Sequence, residues 1–318
     1  MRVAIWHQHG SWTTAFVQGS HDYLVPVNEQ RDEDGRGRAA TWSWPATAQE
    51  VSKERARYSH PDVVVVQRPI ELSSLVEEWF GLRPGIDVPT VVLEHNMPRG
   101  DIAEMRHWAA DRPDLFLVHV THHNALLWDV GTTPSTVVEH GIPDPGHRYS
   151  GELEAGAAVI NDAVRRWRLV GTDLLGGFAE IAPVDLYGMG NDEVPERVPG
   201  VVVHGDLTHP QLHREVARRR CYLHLNRWTS LGLSLIEAMM LGVPPLVVGA
   251  TDAPSAVPAG GGLVTSDVGA LHRRFREYLA SPERAVDEGR VAREAACARF
   301  ALPRFLQDWD EVLKGVSS

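Results

Sequence analysis

The sequence predicts an α/β protein built as two doubly wound domains, and three observations carry that expectation. Short apolar runs alternate with amphipathic stretches along the chain, the pattern of parallel strands covered on both faces by helices. The alternation breaks over 141–154, where two prolines and three glycines fall together as a linker would. A length of 318 residues suits two domains of roughly 150 residues each.

In the first half, strands are expected over 2–6, 23–27, 62–66, 90–93, 115–118 and 136–138, with helical patterns between most of them. Segment 30–38, rich in charge and glycine, reads as an exposed, mobile loop. The second alternation places strands over 157–160, 184–187, 201–203, 222–225, 245–248 and 262–264. Helices then follow over 268–279, 282–299 and 303–313. These patterns divide the chain into domains over 1–145 and 155–300, with a last helical segment over 301–318.

Composition narrows the function. Hydrophobic residues make up 43% and charged residues 23%, enough for a sizeable core. The formal charge of -11 argues against a large nucleic-acid footprint, since phosphate neutralisation needs clustered cations. A small or sugar-like substrate fits better. Lys53 and Lys314 are the only lysines, so any anion site must be built from arginine and backbone N–H groups. Cys221 and Cys297 are too few for a disulfide framework or a cysteine metal cluster, and a reducing cytoplasm is the expected location. Met1 to Trp6 runs straight into a strand-like segment without a signal-peptide apolar stretch, and no window has the roughly 18–20 apolar residues that span a bilayer. A peripheral membrane contact stays open.

The most informative stretch is 226–248, NRWTSLGLSLIEAMMLGVPPLVV. Thr229–Gly232 reads as a tight turn, 233–241 as a helix, Gly242 as its C-cap and 244–248 as the next strand. Small residues at the helix start let a ligand approach, and the free N–H groups of Leu231, Gly232, Leu233 and Ser234 attract an anion. Glu237, one turn further in, can accept two hydrogen bonds from neighbouring hydroxyls, the chemistry that holds a ribose. An ordinary exposed helix acid is the alternative there.

This stretch resembles the donor-site motif of the retaining family 4 glycosyltransferases of the GT-B fold. Ser230, Gly232, Glu237, Ala238, Met239 and Gly242 stand in matching places, whereas Thr229 occupies the position of the family's first Glu. Leu186–Asn191 (LYGMGN) is similar to the family's strand and Gly-x-Gly, and His204–Asp206, with Gly205 at its centre, to the turn beside the nucleobase. Ala259–Val264 (AGGGLV) is similar to the Gly-rich segment before the next helix. The resemblance implies two facing Rossmann-like domains, a cleft between them, and a final helix crossing back to the N-terminal domain. It also implies a diphosphate clamp after the first strand of the second domain, for which Arg165, Arg166 and Arg168 are the candidates and Arg227 a further one. A solvated basic loop is the alternative for each.

In the N-terminal half the same resemblance points to Gly10 and Ser11 at the loop over the donor phosphates and to Gln67 where the family has a histidine lining the sugar site. His95, at the carboxyl edge of a strand, is the best remaining histidine for the active site, with a histidine satisfied by backbone as the alternative. His7 and His9 lack a third and fourth ligand nearby, so no metal site is expected. His122 and His123 open a helix, and 140–144 precedes the hinge. The resemblance therefore implies transfer of a sugar from a nucleotide diphosphate donor to an unassigned acceptor, with retention, without a metal and without a cofactor beyond the donor. Thr229, Gln67 and His95 are the expected catalytic set. The departures at Thr229 and Gln67 keep two alternatives open: a nucleotide-sugar-binding protein without transferase activity, and a 2-epimerase-like enzyme. A dehydrogenase is the least favoured reading, because no Gly-x-Gly-x-x-Gly follows the first strand.

Overall fold

The computed structural model describes residues 1–100 and 102–317. The chain divides into two compact units, Met1–Pro143 with Leu302–Ser318, and Asp144–Ala301.

The first unit runs β1 (Arg2–Ile5), α1 (Gly10–Phe16), β2 (Asp22–Pro26), β3 (Ala48–Val51), α2 (Lys53–Ala56), β4 (Val63–Val66), α3 (Val76–Phe80), β5 (Thr90–Glu94), β6 (Phe116–His119), α4 (His122–Leu127) and β7 (Ser135–Val137). Its seven strands pair in parallel in the order β3-β2-β1-β4-β5-β6-β7. The central strands are buried on both faces, as the four valines of β4 show. Edge strand β3, AQEV, has no apolar run to announce it, and pairing with β2 alone makes it a strand. Its Glu50 also contacts the 30–38 segment, much of which is exposed as expected. That carboxylate accepts both Arg31 Nη groups and the Arg38 N–H, while Trp6 Nε1 donates to the Asp34 carbonyl at 3.0 Å.

The second unit runs β8 (Leu153–Val159), α5 (Leu175–Ala179), β9 (Val184–Tyr187), α6 (Val194–Arg197), β10 (Val201–Gly205), α7 (His209–Arg218), β11 (Arg219–His224), α8 (Leu233–Leu241), β12 (Pro245–Val248), α9 (Ala253–Ala256), β13 (Leu263–Thr265), α10 (Val268–Ala280) and α11 (Pro282–Arg299). Its six parallel strands follow the order β10-β9-β8-β11-β12-β13. β8 begins inside the stretch expected to be linker, and β11 begins three residues before the expected 222. Charge hid that start. Arg219 and Arg220 are buried, but Arg219 donates to Asp185 and Arg220 to the carbonyls of Gly151 and Tyr278, so neither guanidinium is left unpaired. Helix α8 is buried from Leu235 to Leu241 and ends at Gly242 with φ 89°, the left-handed cap that glycine adopts without strain.

The last helix, α12 (Leu302–Val316), belongs to the first unit. Its Phe305 and Trp309 pack edge-on against Trp12 at 5.9 and 5.4 Å, and Trp309 also meets Phe16 at 5.0 Å. No described helix is long and apolar enough to cross a membrane. Because Trp309 is 2% exposed, Trp309→Ala should lower the stability of the first unit by about 3–5 kcal/mol in urea unfolding, whereas Trp309→Phe should cost much less.

Candidate functional site

Both sheets reverse their strand order once, between β1 and β4 in the first and between β8 and β11 in the second. Ligands of open parallel sheets bind beyond the carboxyl ends of strands at such points. Gly10 and Ser11 follow β1, Gln67 follows β4 and His95 follows β5, whereas the Arg165–Arg168 segment follows β8 and the Thr229–Ser234 segment follows β11. The fold thus places these residues beyond the carboxyl ends of strands at or next to the two reversal points.

In the second unit, Gly232 is the N-cap of α8, has extended backbone, and no side chain caps the helix. Leu235 N–H closes on the Gly232 carbonyl at 3.0 Å, which leaves the N–H groups of Leu233 and Ser234 without an intrahelical acceptor. Gly232 is required by space: a Cβ there would stand 2.6 Å from His224 Cε1. His224, at the end of β11, escaped the sequence reading because a single histidine in an apolar strand carries no signal. It is buried and its Nε2 accepts from Asn226 Nδ2 at 3.3 Å, and burial lowers its pKa to about 4. Tyr222 donates to Ser234 Oγ at 2.8 Å. Leu231 is buried, Ser230 is half-buried, and Thr229 Oγ1 is a buried hydroxyl without a hydrogen-bond partner among the described residues.

The arginine segment is stapled to this bend. The backbone N–H groups of Arg227 and Trp228 both donate to the Leu169 carbonyl, at 2.9 and 3.2 Å. Arg227 grips Asp173 through both Nη groups, at 2.7 and 3.0 Å, and so holds the bend in place. Arg168 reaches Asp173 at 3.1 Å and Arg165 reaches Asp162 at 2.5 Å. These two side chains are 75% and 71% exposed, so their ion pairs are weak and readily exchanged for another anion. Arg166 lies between them on the same turn, its N–H donating to the Asp162 carbonyl.

Glu237 is not an exposed helix acid. It is 8% exposed, with Oε1 3.0 Å from His209 Nε2 and Oε2 3.6 Å from His213 Nε2, both on α7. Burial pushes its pKa up, but the contacts and charge of the two histidines outweigh it and hold the carboxyl at about 2. The signal for these partners was the His-x-x-x-His spacing at a helix start, which passed unnoticed. Nearby, Gly205 ends β10 with φ 70°, and His204 Nε2 donates to Asp185 Oδ1 at 2.6 Å while its ring stacks on Tyr187. The LYGMGN segment is structural: Asn191 Nδ2 donates to the carbonyls of Ile160 and Gly188.

In the first unit, Gln67 and His95 are in contact. Gln67 Nε2 donates to the Trp6 carbonyl at 2.8 Å, which turns Oε1 toward His95 Nε2 at 3.0 Å. A carbonyl can only accept, so the amide is oriented, His95 Nε2 carries its proton, and His95 Nδ1 is left as an acceptor. Burial, then the neighbouring His9 and His140, keep the His95 pKa well below the usual imidazole range. His9 packs at a tilt against His95 with ring centroids 4.1 Å apart and occupies the N-cap position of α1, a helix of seven residues with Gly10 and Ser11 in its first turn. Buried Glu71 locks this corner by accepting Gln67 N–H at 2.6 Å and Arg68 Nε at 2.8 Å.

Two units of parallel α/β structure, each with its order reversal opening onto a candidate site, define the GT-B class of fold. Among solved structures the chain is similar to a sucrose-phosphate synthase from Thermosynechococcus elongatus, with a TM-score of 0.74, 12% identity and 99% of each chain covered. It is also similar to HepE from Anabaena in complex with UDP and glucose, with a TM-score of 0.72, 13% identity, and 99% of this chain and 100% of that one covered. A glycosyltransferase from Rickettsia africae follows with a TM-score of 0.70, 12% identity, and 99% and 98% covered. No family model matches the sequence, and no curated protein sequence matches it.

Two outcomes follow from His224. Gly232→Ala should push against the buried ring and lower stability by about 1–3 kcal/mol, read from chemical denaturation. His119, His140 and His224 are each lowered to about 4 by burial from an ordinary value near 6.5. A depressed folded pKa leaves stability intact above the unfolded value and removes it as pH falls toward the folded one. Each such histidine should therefore cost about 2 kcal/mol between pH 7 and pH 5 in urea unfolding, and His224→Gln should remove one such share of the slope. A flat profile over that interval would contradict neutral buried imidazoles.

Proposed function

We propose that the protein is a glycosyltransferase that moves a sugar from a nucleotide diphosphate sugar to an acceptor. The observation that carries this reading is the uncapped amino end of α8 at the β8/β11 order reversal, flanked by the buried, unpartnered Thr229 hydroxyl and the buried Glu237 carboxylate. The α8 N–H groups and helix dipole receive the diphosphate. Arg165, Arg166 and Arg168 add charge-assisted donors, and Glu237 receives the ribose hydroxyls through the lone pairs that the histidines leave over. As the anomeric carbon becomes oxocarbenium-like, negative charge grows on the leaving diphosphate, and these preorganised groups stabilise it without a metal on the phosphates. Thr229 offers one hydrogen bond to a hydroxyl of the donor sugar, and Gly205 leaves the end of β10 open for the nucleobase.

The first unit supplies the acceptor side, with Gly10, Ser11 and the Nδ1 acceptor of His95 as its contribution. The anomeric configuration is retained on this reading, as the family 4 resemblance implies, and the donor is the only small molecule required. The HepE complex makes UDP the first nucleotide to test. One observation favours the second reading, a nucleotide-sugar-binding protein without turnover: both polar atoms of Gln67 are engaged, by the Trp6 carbonyl and by His95. Release of free nucleotide from donor, alone or with acceptor mixtures, separates the two.

Calorimetric titration of UDP and other nucleoside diphosphates tests the donor site directly. Glu237→Ala should weaken binding by about 2 kcal/mol, roughly 30-fold, and at least one of Arg165→Ala, Arg166→Ala and Arg168→Ala should cost about 1.5–3 kcal/mol. Unchanged affinity in all four variants would place the nucleotide elsewhere.

A further inference from the structure

The contact between α7 and α8 contains more than an ion pair. His209 and His213 are four residues apart, so their rings lie on one face of α7 and meet with centroids 3.9 Å apart. Thr208 and Gln211 form a capping box that fixes the helix start from which His209 projects. Both ring Nε2 atoms point at the Glu237 carboxylate, at 3.0 and 3.6 Å, and one ligand atom from each of the three residues lies within 4.8 Å of the other two. Only the first of these distances is a hydrogen bond. His213 is 6% exposed, and its Nε2 is buried with no hydrogen-bond partner among the described residues. A simple Glu237–His209 pair leaves that atom unexplained.

We propose that His209, His213 and Glu237 form a binding site for a divalent transition-metal ion, with zinc the ion of first choice. At zinc bond lengths near 2.0–2.2 Å, tetrahedral ligand atoms stand about 3.4 Å apart; the 3.0 Å contact to Oε1 and the 3.6 Å contact to Oε2 bracket that value, and a rotation of the carboxylate is needed to bring one oxygen between the two rings. Two imidazoles and one carboxylate select zinc or a neighbouring transition ion over magnesium or calcium, which prefer all-oxygen sets. The ion gives His213 Nε2 its missing partner and ties α7 to α8. Three protein ligands leave a fourth position for water or a ligand hydroxyl. A carboxylate bound through one oxygen keeps the other for the ribose, and a dication beside one carboxylate leaves net positive charge one turn from the amino end of α8, where the donor's anionic group is proposed to sit.

The test uses the full chain, stripped by chelator dialysis and titrated with Zn²⁺ in the absence of nucleotide, with Co²⁺ absorption as a second readout of coordination. One equivalent should bind, with a tetrahedral cobalt spectrum and a rise in melting temperature. His213→Ala and Glu237→Gln should each weaken binding roughly 100-fold and abolish both the spectrum and the thermal shift. Sixteen histidines make zinc uptake elsewhere a real competitor, so uptake that is the same in both variants overturns the site, as does no uptake by the parent chain. Glu237→Gln keeps the side-chain shape if His213→Ala fails to fold. UDP titration of the stripped protein is scored separately. UDP binding without zinc binding rejects the metal and keeps the transferase reading, and the converse rejects the transferase reading and keeps the metal.

Discussion

Between β8 and β11 the strand order of the second sheet reverses, so the connections on either side of that point leave toward opposite faces and the carboxyl ends of both strands stay uncovered. The start of α8 there has no side-chain cap, so backbone N–H groups are left without an intrahelical acceptor. Everything proposed for the donor depends on this uncovered edge. Arg227 makes it a single piece, because its backbone binds the Leu169 carbonyl and its guanidinium binds Asp173. The two segments that leave the reversal point are therefore joined by backbone and side-chain hydrogen bonds.

A second constraint lies beneath the first. His224 stands directly under the α8 start and admits only a glycine at position 232, so the helix begins with an uncapped, closely approachable amino end. The rest of α8 is buried nearly all round and cannot shift to relieve the contact. Glu237 is held one turn deeper by two histidines of α7, which keep it ionised in a place where burial alone would favour its protonated form.

Nearly all of the chain's cationic side chains are arginines. Exposed Arg165 and Arg168 rest on Asp162 and Asp173 and can be released from those weak pairs, whereas Arg219 and Arg220 are committed to the core. The first unit works in the opposite sense. His95 is half-buried beside buried His140 and the more exposed His9, and all three imidazoles are held below their usual pKa range, so this corner offers hydrogen-bond acceptors and ring faces rather than charge.

Much was legible in the residues themselves. Helices over 233–241 and 282–299 and strands over 184–187 and 245–248 match their observed bounds, because apolar periodicity, a Gly cap and flanking prolines are local signals that burial then rewards. What depends on distant partners was not legible. β3 is a strand only because β2 lies beside it, β11 starts at two arginines only because acceptors elsewhere satisfy them, and the 30–38 loop takes its contacts from residues as distant as Trp6, Glu50 and Arg68. The site divides along the same line. Sequence by itself determined the α/β class, the glycine-led start of α8 and Glu237 one turn inside it, since each is written in consecutive residues. Tertiary structure alone decided that His224 sits beneath Gly232, that Gln67 is spent on holding His95, and that His209 and His213 face Glu237, because residues from separate strands and helices meet only when the sheet order and the packing bring them together.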